Sequence, residues 1–296
     1  MNPKLGAYIG LTTASFIWGM SFIWTKDIFN YWGPFTLCFL RMILASGFIF
    51  LYAKYRGIPL KVSRDYKSFV LMAFCEPFVY FIGESYGLME VSPGIASLII
   101  GSIPIFLGLS TIVYGKERAK KGFFMGAVCS ILGLIVVSFD LEGNLRYSLK
   151  GLSLLFLAVA SAVIYNQVIR KLSEHHQPET IVFWQSLLGA MMFFPFFLGL
   201  EFQKFAAGFP YEFSVWSQWM LLTALASTCA FIVYNRSIKI IGMLKANIFV
   251  SLIPAFALLA SIYLGLDEFK WFKVIGLALM VLGVIKASQK HQPEAS

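Results

Sequence analysis

Two stretches of this chain, 150 residues apart, carry the same pattern. The first runs from Ala96 through Gly101 to Ile103 and Pro104. The second runs from Ala246 through Ser251 to Ile253 and Pro254. The offset holds further on: Phe106 matches Phe256, Leu109 matches Leu259, Gly115 matches Gly265, and Glu117 matches Asp267. Gly126 then matches Gly276, Gly133 matches Gly283, and Ser138 matches Ser288. Chance similarity between apolar segments explains shared Leu and Ile. It does not explain a shared proline, three shared glycines and an acid at one spacing. A period this long marks a duplicated structural unit. Because the unit is apolar, the expectation is a membrane protein built from two related halves.

Composition agrees. The chain is 58% hydrophobic and 13% charged, against about a quarter charged in a soluble domain. A helix crosses the hydrocarbon core in about 20 residues. Ten apolar runs approach that length: 5–25, 34–53, 68–88, 94–114, 122–139, 151–169, 180–200, 216–236, 246–265 and 270–287. The expected fold is an all-α polytopic membrane protein with ten transmembrane helices. Its connections are too short to hold a soluble domain.

Lys and Arg set the direction. With a cytoplasmic N-terminus, seventeen fall inside, among them Lys54, Arg64, Lys116, Arg118, Lys120, Lys121, Lys239 and Lys290. Six fall outside: Lys26, Arg146, Lys150, Lys204, Lys270 and Lys273. Both termini are therefore expected in the cytoplasm. Five spans per half is an odd number, so the second half enters the membrane upside down. The reading is two inverted five-helix repeats, residues 1–145 and 146–296, with a site between them near the midplane. Pro34 and Thr36 resemble Pro178 and Thr180 at a slightly shorter offset of 144, and Arg41 falls opposite Gln185.

Several classes are disfavoured. The net charge is +9, but nucleic-acid binding needs a basic face on a soluble fold. Cys38, Cys75, Cys129 and Cys229 lie in apolar runs without a CxxC pair, so no zinc or redox site is expected. His175, His176 and His291 read as solvated loop residues. The first apolar run follows Lys4 without a convincing cleavage site and reads as a retained span. Gly115 to Arg118 lacks the spacing of a phosphate loop. No metalloprotease or serine-nucleophile motif is present, and no cofactor or metal is expected.

The chain resembles the EamA family of drug/metabolite transporters. Trp18 to Phe22 with Lys26, and Pro34 with Arg41, carry part of the resemblance. So do Ala96, Ser97, Pro104, Gly115, Glu117, Gly126 and Gly133, repeated as Ala246, Pro254, Gly265, Asp267, Gly276 and Gly283. It covers nearly all of residues 5–287. It implies ten helices in two inverted repeats, and movement of amino acids, their derivatives or other small solutes by alternating access. Span 6 departs from the pattern, with Tyr165, Asn166 and Gln167 where span 1 has its Trp-Gly signature.

Ionisable groups inside a span usually face protein or a water-filled cavity. Glu76, Tyr80 and Glu84 recur at steps of four and share one helix face. Two readings stand: a cation or proton site, or a pair of buried acids that stabilise the bundle. Arg41 and Glu84 lie at similar depth, and an ion pair between them is expected; Glu76, deeper and next to Pro77, is the better proton carrier. Tyr165, Asn166, Tyr234, Asn235 and Asn247 can bond a polar solute or bond between helices. Trp18 and Trp184 can stack on a solute or anchor the protein. Pro104, Pro254, Gly126, Gly133, Gly276 and Gly283 read as hinge and packing residues.

The expected function is secondary transport, as an exporter of a small organic metabolite such as an amino acid or derivative. The expected setting is a bacterial plasma (inner) membrane, with the lipid bilayer and a small-molecule substrate as partners. Protons are the candidate coupling ion, and the protein is a monomer or a homodimer. A membrane-embedded enzyme using Glu76 and Glu84, or a non-transporting receptor or assembly subunit, are the rival classes.

Overall fold

A computed structural model describes residues 2–62, 64–113, 121–138, 147–208 and 212–288. Among these it is built of helices, with no strand. Helix α1 is Pro3–Ile28, α2 is Pro34–Arg56, α3 is Tyr66–Glu90 and α4 is Pro93–Val113. Helix α5 is Lys121–Ser138. Helix α6 is Leu149–His175, α7 is Pro178–Ala207, α8 is Phe213–Ile241 and α9 is Met243–Tyr263. Helix α10 is Trp271–Ser288. Eight of these, all but α5 and α10, are long and apolar enough to cross a membrane; α5 contributes a shorter apolar stretch, Met125–Val136. The chain is a multi-pass membrane protein. Its surface carries apolar side chains such as Ile9, Phe50, Leu51, Leu198 and Leu282, which suit hydrocarbon.

Local chemistry sets the helix ends. Pro3, Pro34, Pro93 and Pro178 occupy first turns, where a missing N–H costs nothing. Helix α2 ends at Gly57, whose φ of 65° closes the helix in a left-handed conformation.

Five spans are interrupted, one of them α7, by a π turn over Phe197–Glu201. Helix α4 is broken at Gly101 and Ser102, and α9 passes through a 3₁₀ turn, Phe249–Leu252. Both breaks lie just before a proline, Pro104 or Pro254, whose ring displaces the carbonyl four residues earlier. Helix α3 widens to a π turn over Phe74–Val79, with Glu76 at φ −142° and ψ 116° ahead of a cis bond to Pro77. Helix α8 widens over Leu222–Cys229. Irregular backbone at membrane depth survives only where protein covers it. Here Ser161 of α6 donates to the Cys75 carbonyl at 2.6 Å, and Gly189 of α7 leaves room for the Pro77 ring.

Helices α5 and α10 pack at small residues. A Cβ on Gly133 would come 2.6 Å from the Gly276 oxygen, and one on Gly283 would come 2.5 Å from the Gly126 oxygen. Ser130 donates to the Met280 carbonyl at 2.8 Å. Small residues give this approach its reach.

One expectation about the loops is corrected. His176 is not a solvated residue. Its ring bonds Asp65 at 2.8 Å, sits edge-on to Phe69, and keeps only 15% side-chain exposure. Gly115, Lys116, Glu117, Arg118, Lys120, Arg146, Lys290 and His291 lie outside the described residues.

Candidate functional site

Helices α1, α2, α3, α4, α6, α8 and α9 line a partly open cavity whose empty space, open solvent included, is about 590 Å³. Arg41, Glu76, Tyr80 and Glu84 form its charged wall, and Tyr165, Asn166, Tyr234 and Asn247 form a neutral polar wall. Trp18, Phe22, Phe81 and Phe231 complete the lining with aromatic rings.

The charged wall comes from α2 and α3. Glu76 is 7% exposed and Arg41 is 5% exposed. Tyr80 donates its hydroxyl to Glu84 Oε1 at 2.9 Å, the bond their four-residue spacing permits. No hydrogen-bond donor among the described residues meets the Glu76 carboxyl. The expected ion pair between Arg41 and Glu84 is not among the ion pairs of the described residues. Arg41 instead donates Nε to Ser227 and lies 4.5 Å over the Phe81 ring. The reason is azimuth: α2 packs on the widened turn of α8, which brings Ser227 to Arg41.

The neutral wall is a connected network of hydrogen bonds. Asn166 gives its amide nitrogen to the Ala162 carbonyl at 2.8 Å, so its oxygen faces the cavity side chains. Tyr234 donates to that oxygen at 2.7 Å, and Asn247 donates to it at 2.8 Å. Asn247 also reaches the Tyr234 hydroxyl at 2.6 Å. Tyr165 donates to Gln185 Oε1 at 3.0 Å. Trp18 spans to α8, donating to the Ala226 carbonyl at 3.2 Å and meeting Phe231 and Tyr234 edge-on.

Eight of the ten expected solute contacts line this space: Trp18, Glu76, Tyr80, Glu84, Tyr165, Asn166, Tyr234 and Asn247. Trp184 and Asn235 do not. Trp184 donates to the Leu60 carbonyl at 2.7 Å, beside Thr180 on the Pro59 carbonyl, and so ties the connection after α2 to α7. Asn235 turns back to the Phe231 carbonyl at 2.9 Å. One residue further along a helix is about 100° around it, and here that turn carries Asn235 off the cavity that Tyr234 lines.

Other polar contacts escaped the sequence reading. Glu201 of α7 accepts from Thr36 N and Thr36 Oγ1, each at 2.7 Å, at the start of α2. Asp267 accepts from Gly94 N at 3.2 Å and pairs with Lys273 at 2.7 Å, both side chains being buried. Lys26 donates to carbonyls at the end of α3, including that of Val91 at 3.1 Å. Each is a charged residue near a span end that meets another helix's open terminus. Lys273 had read only as a loop cation.

The cavity can hold a small solute against acids, a guanidinium and amide groups. Among the described residues no group of three His, Cys, Asp or Glu gathers as metal ligands.

The sequence pattern of the EamA-like transporter family matches residues 5–139 and again residues 149–288. The uncharacterized transporter YetK of Bacillus subtilis (strain 168) is 23% identical over 301 residues, covering 100% of this chain and 91% of that protein. An uncharacterized transporter of Archaeoglobus fulgidus is 22% identical over 284 residues, covering 96% of this chain and 99% of its own length. A protein of known crystal structure aligns with a TM-score of 0.71 over 95% of this chain and 96% of that one, at 19% identity. That likeness establishes a shared fold.

Proposed function

The chain belongs to the EamA-like transporter family, and on that premise we propose that it is a ten-span secondary transporter that exports a small organic metabolite. An amino acid or a derivative is the solute class, alternating access the mechanism, and a bacterial plasma membrane the setting. Both termini lie in the cytoplasm. The observation that carries this reading is the meeting of polar side chains from α2, α3, α6, α8 and α9 on one cavity inside the bundle. Buried polar groups in a membrane are expensive and mark solute or ion pathways.

In this reading residues 1–145 and 146–296 are inverted repeats. The contacts of α5 with α10 support it. Ser130 and Met280 touch, and their numbers differ by the repeat offset of 150. Gly133 meets Gly276 while Gly283 meets Gly126, which is the reciprocal pattern of a two-fold axis. The prolines that interrupt α4 and α9 sit at matching positions and serve as the hinges. Glu76 is the proton-coupling acid, and Glu84 shares that face.

Flux into liposomes tests the proposal. Cells making the protein are screened for resistance to metabolites. The best hits are then followed, labelled, in protein-bearing and empty vesicles. Faster, saturable movement in protein-bearing vesicles is expected; equal movement in both for every hit rejects the transporter reading.

A further inference from the structure

Resting on the transporter reading, we infer that, of amino acids and their derivatives, the cavity selects a protonated organic amine with an apolar body over the corresponding amino-acid zwitterion. The inference starts from the Glu76 carboxyl, which is more than nine-tenths buried, lines the cavity and lacks a hydrogen-bond donor among the described residues. A buried polar group left unpaired is costly and calls for a partner. Glu84 already has one, the Tyr80 hydroxyl.

The neutral wall leaves the same kind of gap. Asn166 spends its amide nitrogen on its own helix, so its oxygen takes the protons of Tyr234 and Asn247. Asn247 must therefore present its nitrogen inward to that network. Its oxygen is buried without a partner. The open carboxyl of Glu76 is an acceptor on the cavity wall, so a solute donor complements it. An ammonium supplies three N–H donors and a charge.

Charge separates the amine from the zwitterion. With both carboxyls ionised, Glu76, Glu84 and Arg41 leave the wall one negative charge in excess. A monoamine cancels it and a zwitterion does not. A solute carboxylate would compete with two wall carboxyls for the one guanidinium, Arg41, whose Nε is given to Ser227 and whose flat face lies on Phe81. Trp18, Phe22 and Phe231 offer rings to an apolar body and attract a cation through their faces.

The test uses the full-length protein in nanodiscs and calorimetric titration with three matched solutes: 2-phenylethylamine, phenylalanine and 2-phenylethanol. A charge-assisted hydrogen bond predicts that the amine binds at least ~10-fold more tightly than either of the others. In Glu76→Gln the amine should lose ~10-fold or more in affinity, while the alcohol is unchanged. Phenylalanine binding as tightly as the amine, or no amine binding at all, overturns the inference. So does a folded Glu76→Gln protein that keeps the parent's amine affinity. The wild-type ratio decides the matter even where that variant does not fold. Uptake of labelled 2-phenylethylamine and phenylalanine into liposomes separates this inference from its premise. Tight amine binding without protein-dependent flux would reject transport and leave the amine site standing. Preferential flux of phenylalanine would keep transport and reject the amine.

Discussion

The two walls of the cavity are built on different principles. The wall from the first family-matched segment is charged: Arg41, Glu76 and Glu84. The wall from the second is neutral: Tyr165, Asn166, Tyr234 and Asn247. Helices α3 and α8 both widen to π turns at mid-length. The turn in α3 carries a carboxyl, whereas that in α8 carries Ser227, which accepts from Arg41. The neutral wall satisfies most of its own hydrogen bonds across three helices. The charged wall leaves Glu76 open. One segment thus offers a fixed frame and the other offers the group that solute or proton can occupy.

The largest effect should come from opening the charged wall. Glu76→Gln keeps volume and removes the charge, so transport should fall by about tenfold or more, as expected for a lost charged hydrogen bond. Size-exclusion profile and melting temperature should stay near the parent's, because no bond within the protein is lost. The neutral wall should respond in the opposite way. Asn166→Ala strips the acceptor from both Tyr234 and Asn247. It should cost about 1–3 kcal/mol of stability, read as a lower midpoint in thermal unfolding. If Asn166→Ala were as stable as the parent, the frame would not be a frame.

Smaller effects sharpen the contrast. Tyr80→Phe removes one bond to Glu84 and should change transport by a few-fold, about 0.5–1.5 kcal/mol. Trp184→Phe removes the indole N–H that bonds the Leu60 carbonyl. It should leave solute affinity unchanged and lower stability by about 1 kcal/mol. A change in affinity there would bring Trp184 back to the cavity.

Much of this contrast was legible in the chain. Steps of four placed Glu76, Tyr80 and Glu84 together: Tyr80 and Glu84 are a regular helical pair, and Glu76 reaches the same cavity from the π turn. The proline pair at Pro104 and Pro254 located both interruptions, since proline acts on its own helix. What the sequence hid was azimuth. Arg41 and Glu84 share a depth, yet the side of α2 that meets α8 decides that Arg41 finds Ser227. Trp184 and Trp18 both lie in apolar runs, but only Trp18 lines the cavity. Glu201 and Lys26 were hidden for a related reason: each meets backbone groups of another helix, and spacing within one helix carries no trace of that.

The most direct test of an open charged wall is the pH profile of transport in proteoliposomes, measured for the parent and for Glu76→Gln with a solute taken from the resistance screen. The account predicts a pH-dependent rate for the parent and a low, flat profile for the variant, with both proteins folded. A folded Glu76→Gln protein that kept the parent's rate and pH profile would contradict it and return Glu76 to a structural role.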